Sequence, residues 1–364
     1  LLVNATLGLH QPARGPHQVV KSLNFYTSAA VERNKEYAYT AEVGDLGEYF
    51  KTLSSSVRQP SSFGFSSERI KGWCSDYIEY GWITEEEEDA QDKRREVSGV
   101  PRLPARESFY RHVALCIQSV PRDSTPGEPL KGLFVSNQSV LDNLGLDGVM
   151  RLVLTRLLRI LEGKNERDAM YPFIKNEPMK EKKRGRPRVI FCLSFLDQVI
   201  TRIIFQNLIE QFRLWGADGV GPTGIGANVR DPSHVTRVHA KPSPKWVKVS
   251  SDVERWDYTT TLRMETAAFN VLAKLLGQGA DWVQIVTVHI HNMHASKEIQ
   301  VGDYIYQQSV QGIEVSGSLL TIVKNSVKRL LLALAVDRVL MATPPCQLQS
   351  KLDCMQVMGD DLVD

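Results

Sequence analysis

Val357-Met358-Gly359-Asp360-Asp361-Leu362-Val363 places two adjacent carboxylates between short apolar runs. That pattern reads as a strand entering and leaving a tight turn. Gly359 suits the turn because glycine reaches backbone conformations that other residues avoid. Adjacent carboxylates in a sheltered turn repel each other and resist desolvation, and a divalent cation relieves both costs. The tripeptide also occurs in surface turns, so the other acidic and basic segments decide how it is read.

Trp246-Val247-Lys248-Val249-Ser250-Ser251-Asp252 alternates in the manner of a half-buried strand. Val247 and Val249 fall on one face, and Lys248, Ser250 and Asp252 on the other. Asp257 follows after an odd separation, so the chain must turn near Arg255-Trp256. Asp257 is also a candidate helix N-cap, because 262–276 has a helical pattern. Downstream, Gln311-Gly312-Ile313-Glu314-Val315-Ser316-Gly317-Ser318 leads into a helix expected over 318–335. Leu320, Val323, Val327, Leu330 and Leu334 form its apolar stripe, and Thr321, Asn325 and Lys328 recur on a polar face of the kind that is usually solvated. Ser316-Gly317 at its head is a flexible loop whose free N–H groups suit phosphate or ribose.

A basic stretch runs from Phe173-Ile174-Lys175-Asn176-Glu177-Pro178 to Arg186-Pro187-Arg188-Val189-Ile190. Apolar runs bracket it, which fits an ordered ribbon better than a tail. Such a ribbon would give a triphosphate an electropositive approach.

The 364 residues, 42% apolar, are enough for a large core or for lobes sharing one. The net charge of +2 does not by itself predict a nucleic-acid partner. Five cysteines with no CxxC pair read as reduced thiols, not as a zinc site or disulfide frame. Leu1-Leu2-Val3-Asn4 lacks the charged and long apolar regions of a signal peptide, so none is expected here, and the most apolar stretch, 330–342, is too short to span a bilayer. The start at Leu1 is consistent with excision from a polyprotein. The first hundred residues read as irregular apart from an exposed helix near 84–95. A helix is expected over 147–161 with Asp147 as N-cap, another over 196–212, and β-runs over 283–291, 297–301 and 304–310. Gly302-Asp303 fits a hairpin turn. In a β-run, His289 and His291 would share one face and His294 the other, which argues against zinc. Residues 216–226 are glycine-rich but follow a helix and lack a Gly-Lys-Ser/Thr ending, so they read as a loop rather than a nucleotide fingerprint. The fold class is α+β, with helices packed on an antiparallel sheet.

In this order, the segments resemble the motif series of positive-strand RNA virus RNA-dependent RNA polymerases. The basic ribbon looks like motif F and Asp252-x4-Asp257 like motif A. Ser316-Gly317-x3-Thr321-x3-Asn325 looks like motif B, and Gly359-Asp360-Asp361 like motif C. Phe173 to Pro178, Ser194-Phe195-Leu196-Asp197-Gln198-Val199, Phe205-Gln206-Asn207 and Gly317-Ser318 with Asn325-Ser326 look like sobemovirus and polerovirus replicases. The resemblance covers roughly residues 170–364. It implies a right-hand polymerase fold of fingers and palm, with the thumb missing from this stretch. The implied division is an N-terminal extension or fingers (1–140), fingers with the ribbon (141–248), palm motif A (249–277), an insertion (278–305) and palm motifs B and C (306–364).

By the same resemblance, Asp252, Asp360 and Asp361 would bind Mg²⁺ (or Mn²⁺). Asp257 and Asn325, with Ser316, Gly317 and Thr321, would read the ribose, Lys175 and Arg188 would contact the triphosphate, and Glu177 would orient the ribbon. The implied partners are template and product RNA, ribonucleoside triphosphates, a genome-linked protein primer and other replicase proteins. The implied location is host cytoplasm, in membrane-associated replication complexes. Glu254-Arg255-Trp256 departs from the small residues frequent at that point of motif A. A reverse transcriptase is the rival enzyme, disfavoured by Asp257, Asn325 and Met358, where an aromatic residue would be usual. A non-catalytic RNA-binding fragment is the rival from another class.

Overall fold

The computed structural model describes residues 19–23, 37–53, 59–82, 105–175, 188–228, 230–233, 236, 250–251, 253, 256–277, 279–308, 311–312, 314–340, 352–359 and 361–363; at 19–23, 250–251, 258, 340 and 361–363 only the backbone is described. In chain order the elements are β1 (Val19–Leu23), α1 (Thr40–Leu53), α2 (Ser67–Tyr80), α3 (Ala105–Gln118), α4 (Asn137–Leu161), β2 (Tyr171–Ile174), β3 (Val189–Cys192) and α5 (Phe195–Asp218). Then come β4 (Ser250–Ser251), α6 (Trp256–Thr259), α7 (Leu262–Leu276), α8 (Asp281–Ala295), β5 (Glu298–Val301), β6 (Tyr304–Gln308), α9 (Thr321–Leu340), β7 (Gln356–Met358) and β8 (Asp361–Val363).

The strands form three small sheets, ordered β1-β6-β5, β2-β3 and β4-β8-β7. Among the named strands all described pairings are antiparallel except β1 with β6, and single parallel bridges join Met170 to Ile299 and Thr223 to Val357. The helices supply most of one continuous apolar core that runs from Tyr39 to Val357. Phe50 of α1 stacks on Trp215 of α5 with ring centroids 5.4 Å apart. Trp282 of α8 donates its indole N–H to the Ser62 carbonyl at 3.1 Å. Arg338 of α9 reaches Glu42 of α1 at 3.1 Å. Residues far apart in the chain thus close one body.

Several expectations are corrected. The 283–291 run is helical, not β: its many β-branched residues favour strands only weakly. Trp282, Val283, Val286, Ile290 and Met293 recur at helical spacing, and all are buried. The first hundred residues hold α1 and α2. α4 is capped eleven residues before Asp147, at Ser136, whose hydroxyl accepts from the Ser139 amide at 3.2 Å while Ser139 answers the Ser136 amide at 3.0 Å. Gly145, with φ of +66°, interrupts that helix, and Asp147 instead pairs with Arg151 at 3.0 Å. The divisions drawn after 140 and after 305 fall inside α4 and β6. The helix near 84–95 and the strand at 246–249 lie outside the described residues. The other helices stand near their expected ranges, and β5–Gly302–β6 is a hairpin.

Candidate active site

Four segments separated by up to 190 residues converge on the β4-β8-β7 sheet and the head of α9. Ser251 of β4 lies opposite Leu362 of β8, and Ser250 opposite Val363. In sequence, Ser251 directly precedes Asp252 and Leu362 directly follows Asp361, so the two acidic segments occupy neighbouring strands. Met358 lies opposite Asp361 across the β7–β8 hairpin. Gly359 at its turn has φ of +71°, a conformation costly for any residue bearing a Cβ. Asp252 and Asp360 lie outside the described residues, and Asp361 is described by its backbone alone.

The turn is tied to α9. The Gly359 amide donates to the Ser326 hydroxyl at 2.9 Å. Behind it, β7 is flanked by the glycine-rich loop: the Val357 amide donates to the Pro222 carbonyl at 2.7 Å, and the Gly224 amide to the Val357 carbonyl at 2.8 Å. A Cβ on Gly224 would lie 2.8 Å from the Gln356 amide nitrogen, so glycine permits that approach. The expected loop is therefore a support for the hairpin strand.

The loop before α9 packs on the basic ribbon's return strand. A Cβ on Gly317 would stand 2.2 Å from the Phe191 carbonyl oxygen, so no other residue fits without displacing β3. The Ser316 hydroxyl is 3.5 Å from the Val189 carbonyl. The Glu314 amide donates to the Asp257 carbonyl at 2.9 Å, which joins the segment after β4 to the α9 loop. Thr321 donates its hydroxyl towards the Val315 and Ser318 carbonyls at 2.7 and 2.8 Å, closing that loop. Asn325 is buried, and its Oδ1 has no hydrogen-bond partner among the described residues. A buried amide oxygen without a partner is uncommon and marks a place where a donor can dock.

The ribbon is described only at its base. The Lys175 amide donates to the Arg188 carbonyl at 2.9 Å, so these two exposed side chains leave from one point of the β2–β3 pair. Glu177 lies outside the described residues. Asp257 is not the cap of α7: it sits in the single turn α6, and Thr261 caps α7 by accepting from the Met264 amide at 3.3 Å.

The polar residues of α9 are not a solvated face. Every residue from 323 to 331 is buried. Lys324 and Lys328 are fully buried against Glu265 of α7 and Glu314. Burial opposes ionisation of Glu265, but Lys324 and Lys328 outweigh it and hold the carboxyl well below the usual range. Burial likewise disfavours the Lys328 ammonium, yet Glu265 and Glu314 raise its pKa. Burial, reinforced by Lys324, keeps the His294 imidazole neutral. Its Nδ1 accepts from Lys324 at 2.8 Å, and its Nε2 faces the Ser318 hydroxyl at 3.3 Å. Lys297 is buried beside them, donating to the His294 and Gly312 carbonyls at 2.8 and 2.6 Å; burial pulls its pKa down to about 7. No cluster of three or more His, Cys, Asp or Glu able to hold a metal occurs among the described residues, the α8 histidines included.

A second ion cluster, with Asp197 buried and Arg156 and Asp168 half-buried, includes the segment just before β2 in the chain. Arg156 of α4 reaches Asp168 at 3.0 Å and Asp197 at 2.9 Å. Asp197, within the replicase-like Ser194–Val199 stretch, thus serves the packing of α5 on α4. The sequence hinted at these clusters only through charges at helical spacing in otherwise apolar segments, a signal that a solvated face would also give.

No family model matches the chain. Over 275 residues it is 24% identical to the RNA-directed RNA polymerase of mushroom bacilliform virus, an alignment that covers 69% of this chain and 64% of the relative. The chain thus spans less than two thirds of the length of that viral polymerase, to which it bears a distant likeness. No helix among the described residues is long and apolar enough to cross a membrane.

Proposed function

We propose that the chain is the fingers-and-palm part of an RNA-directed RNA polymerase with a right-hand fold, which adds ribonucleotides to an RNA 3′-hydroxyl or a protein primer. The observation that carries the reading is the pairing of β4 with β8. It brings the segments bearing Asp252 and Asp360-Asp361, more than a hundred residues apart, to one sheet under the head of α9. The likeness to a viral polymerase supports it independently.

Asp252, Asp360 and Asp361 supply the hard oxygen donors that Mg²⁺ or Mn²⁺ prefers. Bound there, the cation would supply activation of the 3′-hydroxyl and neutralisation of charge on the departing pyrophosphate. The protein's own task is positioning. Lys175 and Arg188 leave the β2–β3 base as paired cations towards the triphosphate. Asn325 Oδ1 can accept from a ribose 2′-hydroxyl, the group that separates ribonucleotides from deoxyribonucleotides. Asp257 joins it through the backbone link to Glu314. Thr321, its hydroxyl engaged by two carbonyls, acts by shaping the Ser316-Gly317 loop.

The test is primer extension on an RNA template with Mg²⁺. Incorporation of ribonucleotides is expected, and Asp360→Ala should abolish it while RNA binding survives. No incorporation by a polypeptide carrying this chain at the full length of its viral relative would overturn the reading. Preference for deoxyribonucleotides would favour a reverse transcriptase instead. Simultaneous loss of binding and incorporation in Asp360→Ala would assign that residue to folding.

A further inference from the structure

Four fully buried charged groups on three segments meet beside the site, and the reaction proposed above uses none of them. Lys324 and Lys328 stand one turn apart on α9. Each contacts both Glu265 of α7 and Glu314 of the preceding loop. Lys324 lies 3.1 Å from Glu314, and Lys328 2.5 Å from Glu265. The cluster is balanced, two ammonium groups against two carboxylates.

Such a cluster is a poor way to gain stability. Apolar residues of similar volume often do as well or better, because desolvating four ions offsets most of their attraction. Its physical effect is on geometry. Sliding α9 by one turn, a displacement of about 5.4 Å, would leave buried charges without partners. Rotating the helix would do the same. A wrong register is therefore costly in a way that an all-apolar helix face, able to repack, would not impose.

The residues between the two lysines inherit that register. Asn325 and Ser326 lie within the same turn. The Ser326 hydroxyl donates to the Ile322 carbonyl at 2.8 Å and accepts from the Gly359 amide at 2.9 Å. Its single proton is committed to α9, so its lone pair faces the hairpin turn. We infer that Glu265, Glu314, Lys324 and Lys328 form a charge clamp that sets the register of α9, and that Ser326 passes this register to the Gly359-Asp360-Asp361 turn. All five are positioning residues for the acidic turn, and their assignment to catalysis rests on the polymerase reading.

The experiment compares the unmodified protein with Ser326→Ala, Ser326→Thr and the charge-balanced pair Glu314→Leu/Lys328→Met. Amide exchange is read in a peptide covering 355–363 and in a control peptide covering 298–308. Ser326→Ala and the paired variant should speed exchange at the turn roughly tenfold and leave the control unchanged. Ser326→Thr, which keeps the acceptor oxygen, should restore protection. In primer extension the same two variants should lose about 10- to 100-fold in kcat with little change in nucleotide KM. They should also need more Mg²⁺ for half-maximal rate.

Unchanged exchange at the turn in both defective variants would overturn the inference, as would faster exchange in both peptides together, which would make the clamp a stability feature. Failure of Ser326→Thr to protect the turn would remove Ser326 from the path. If a polypeptide carrying the unmodified chain at the full length of its viral relative is inactive but the exchange pattern appears, the clamp stands and the polymerase reading falls. If it is active and exchange does not respond, the reverse holds.

Discussion

Lys297 shows how far a residue's surroundings can change its chemistry. Its side chain is fully buried, and its pKa falls to about 7 from the ordinary 10.5. Burial is the main cause, and nearby Lys324 adds to it, only partly countered by Glu265. Between pH 7 and 10.5 the unfolded chain therefore binds a proton that the folded protein does not, so this group makes stability rise with pH across that window. Relative to Lys297→Met, the protein should gain about 1.5 kcal/mol of unfolding free energy between pH 7 and 8.5, measured by urea denaturation at each pH. A constant difference would show that the lysine stays charged. Gly317 and Gly359 are needed for distinct reasons. Gly317 gives way to the Phe191 carbonyl, whereas Gly359 adopts a positive φ in open space. The glycine in Gly359-Asp360-Asp361 was readable from sequence because turns demand it. The demand on Gly317 came from β3, more than a hundred residues away.

At the scale of elements, local signals succeeded where periodicity ran unbroken. The span of α7, though not its cap at Thr261, was legible because its apolar residues recur at 3.6-residue spacing over four turns. α4 and α8 were misread. In α4 the Ser136–Ser139 box lies upstream of the apolar stripe, and Gly145 breaks the pattern between them. Ser136→Ala should cost about 1 kcal/mol in thermal or denaturant unfolding. Asp147→Glu, which keeps a carboxylate for Arg151 and for the hydroxyl of Tyr77 but caps a helix poorly, should cost under about 0.5 kcal/mol. Equal effects would contradict the assigned start of the helix. In α8 a run of β-branched residues suggested a strand, but burial against α4 and α7 decided for a helix. α9 was recognised as a helix and misjudged in its surroundings: a polar stripe looks the same in sequence whether water or buried carboxylates face it.

At the scale of the molecule, one core supports the acidic hairpin from several sides. α9 packs on α7, α1 and β7, and the 221–226 loop lines the other edge of β7. This support is built from apolar packing, backbone hydrogen bonds and buried ion pairs, so folding should not depend on a bound cation. Removing divalent metal with a chelator should stop ribonucleotide incorporation and leave the urea midpoint nearly unchanged; a large fall in the midpoint would make the metal structural. The sequence alone determined the order and spacing of the acidic, glycine-bearing and basic segments, because turn glycines, strand alternation and charge are local properties. The mutual placement of these segments was decided by tertiary structure: β4 beside β8, Ser326 on Gly359, Gly317 against β3 and the four charges around α9. Most of these contacts join residues distant in the chain, and they depend on which groups approach each other or take a polar group out of water, a question that only the packed fold answers.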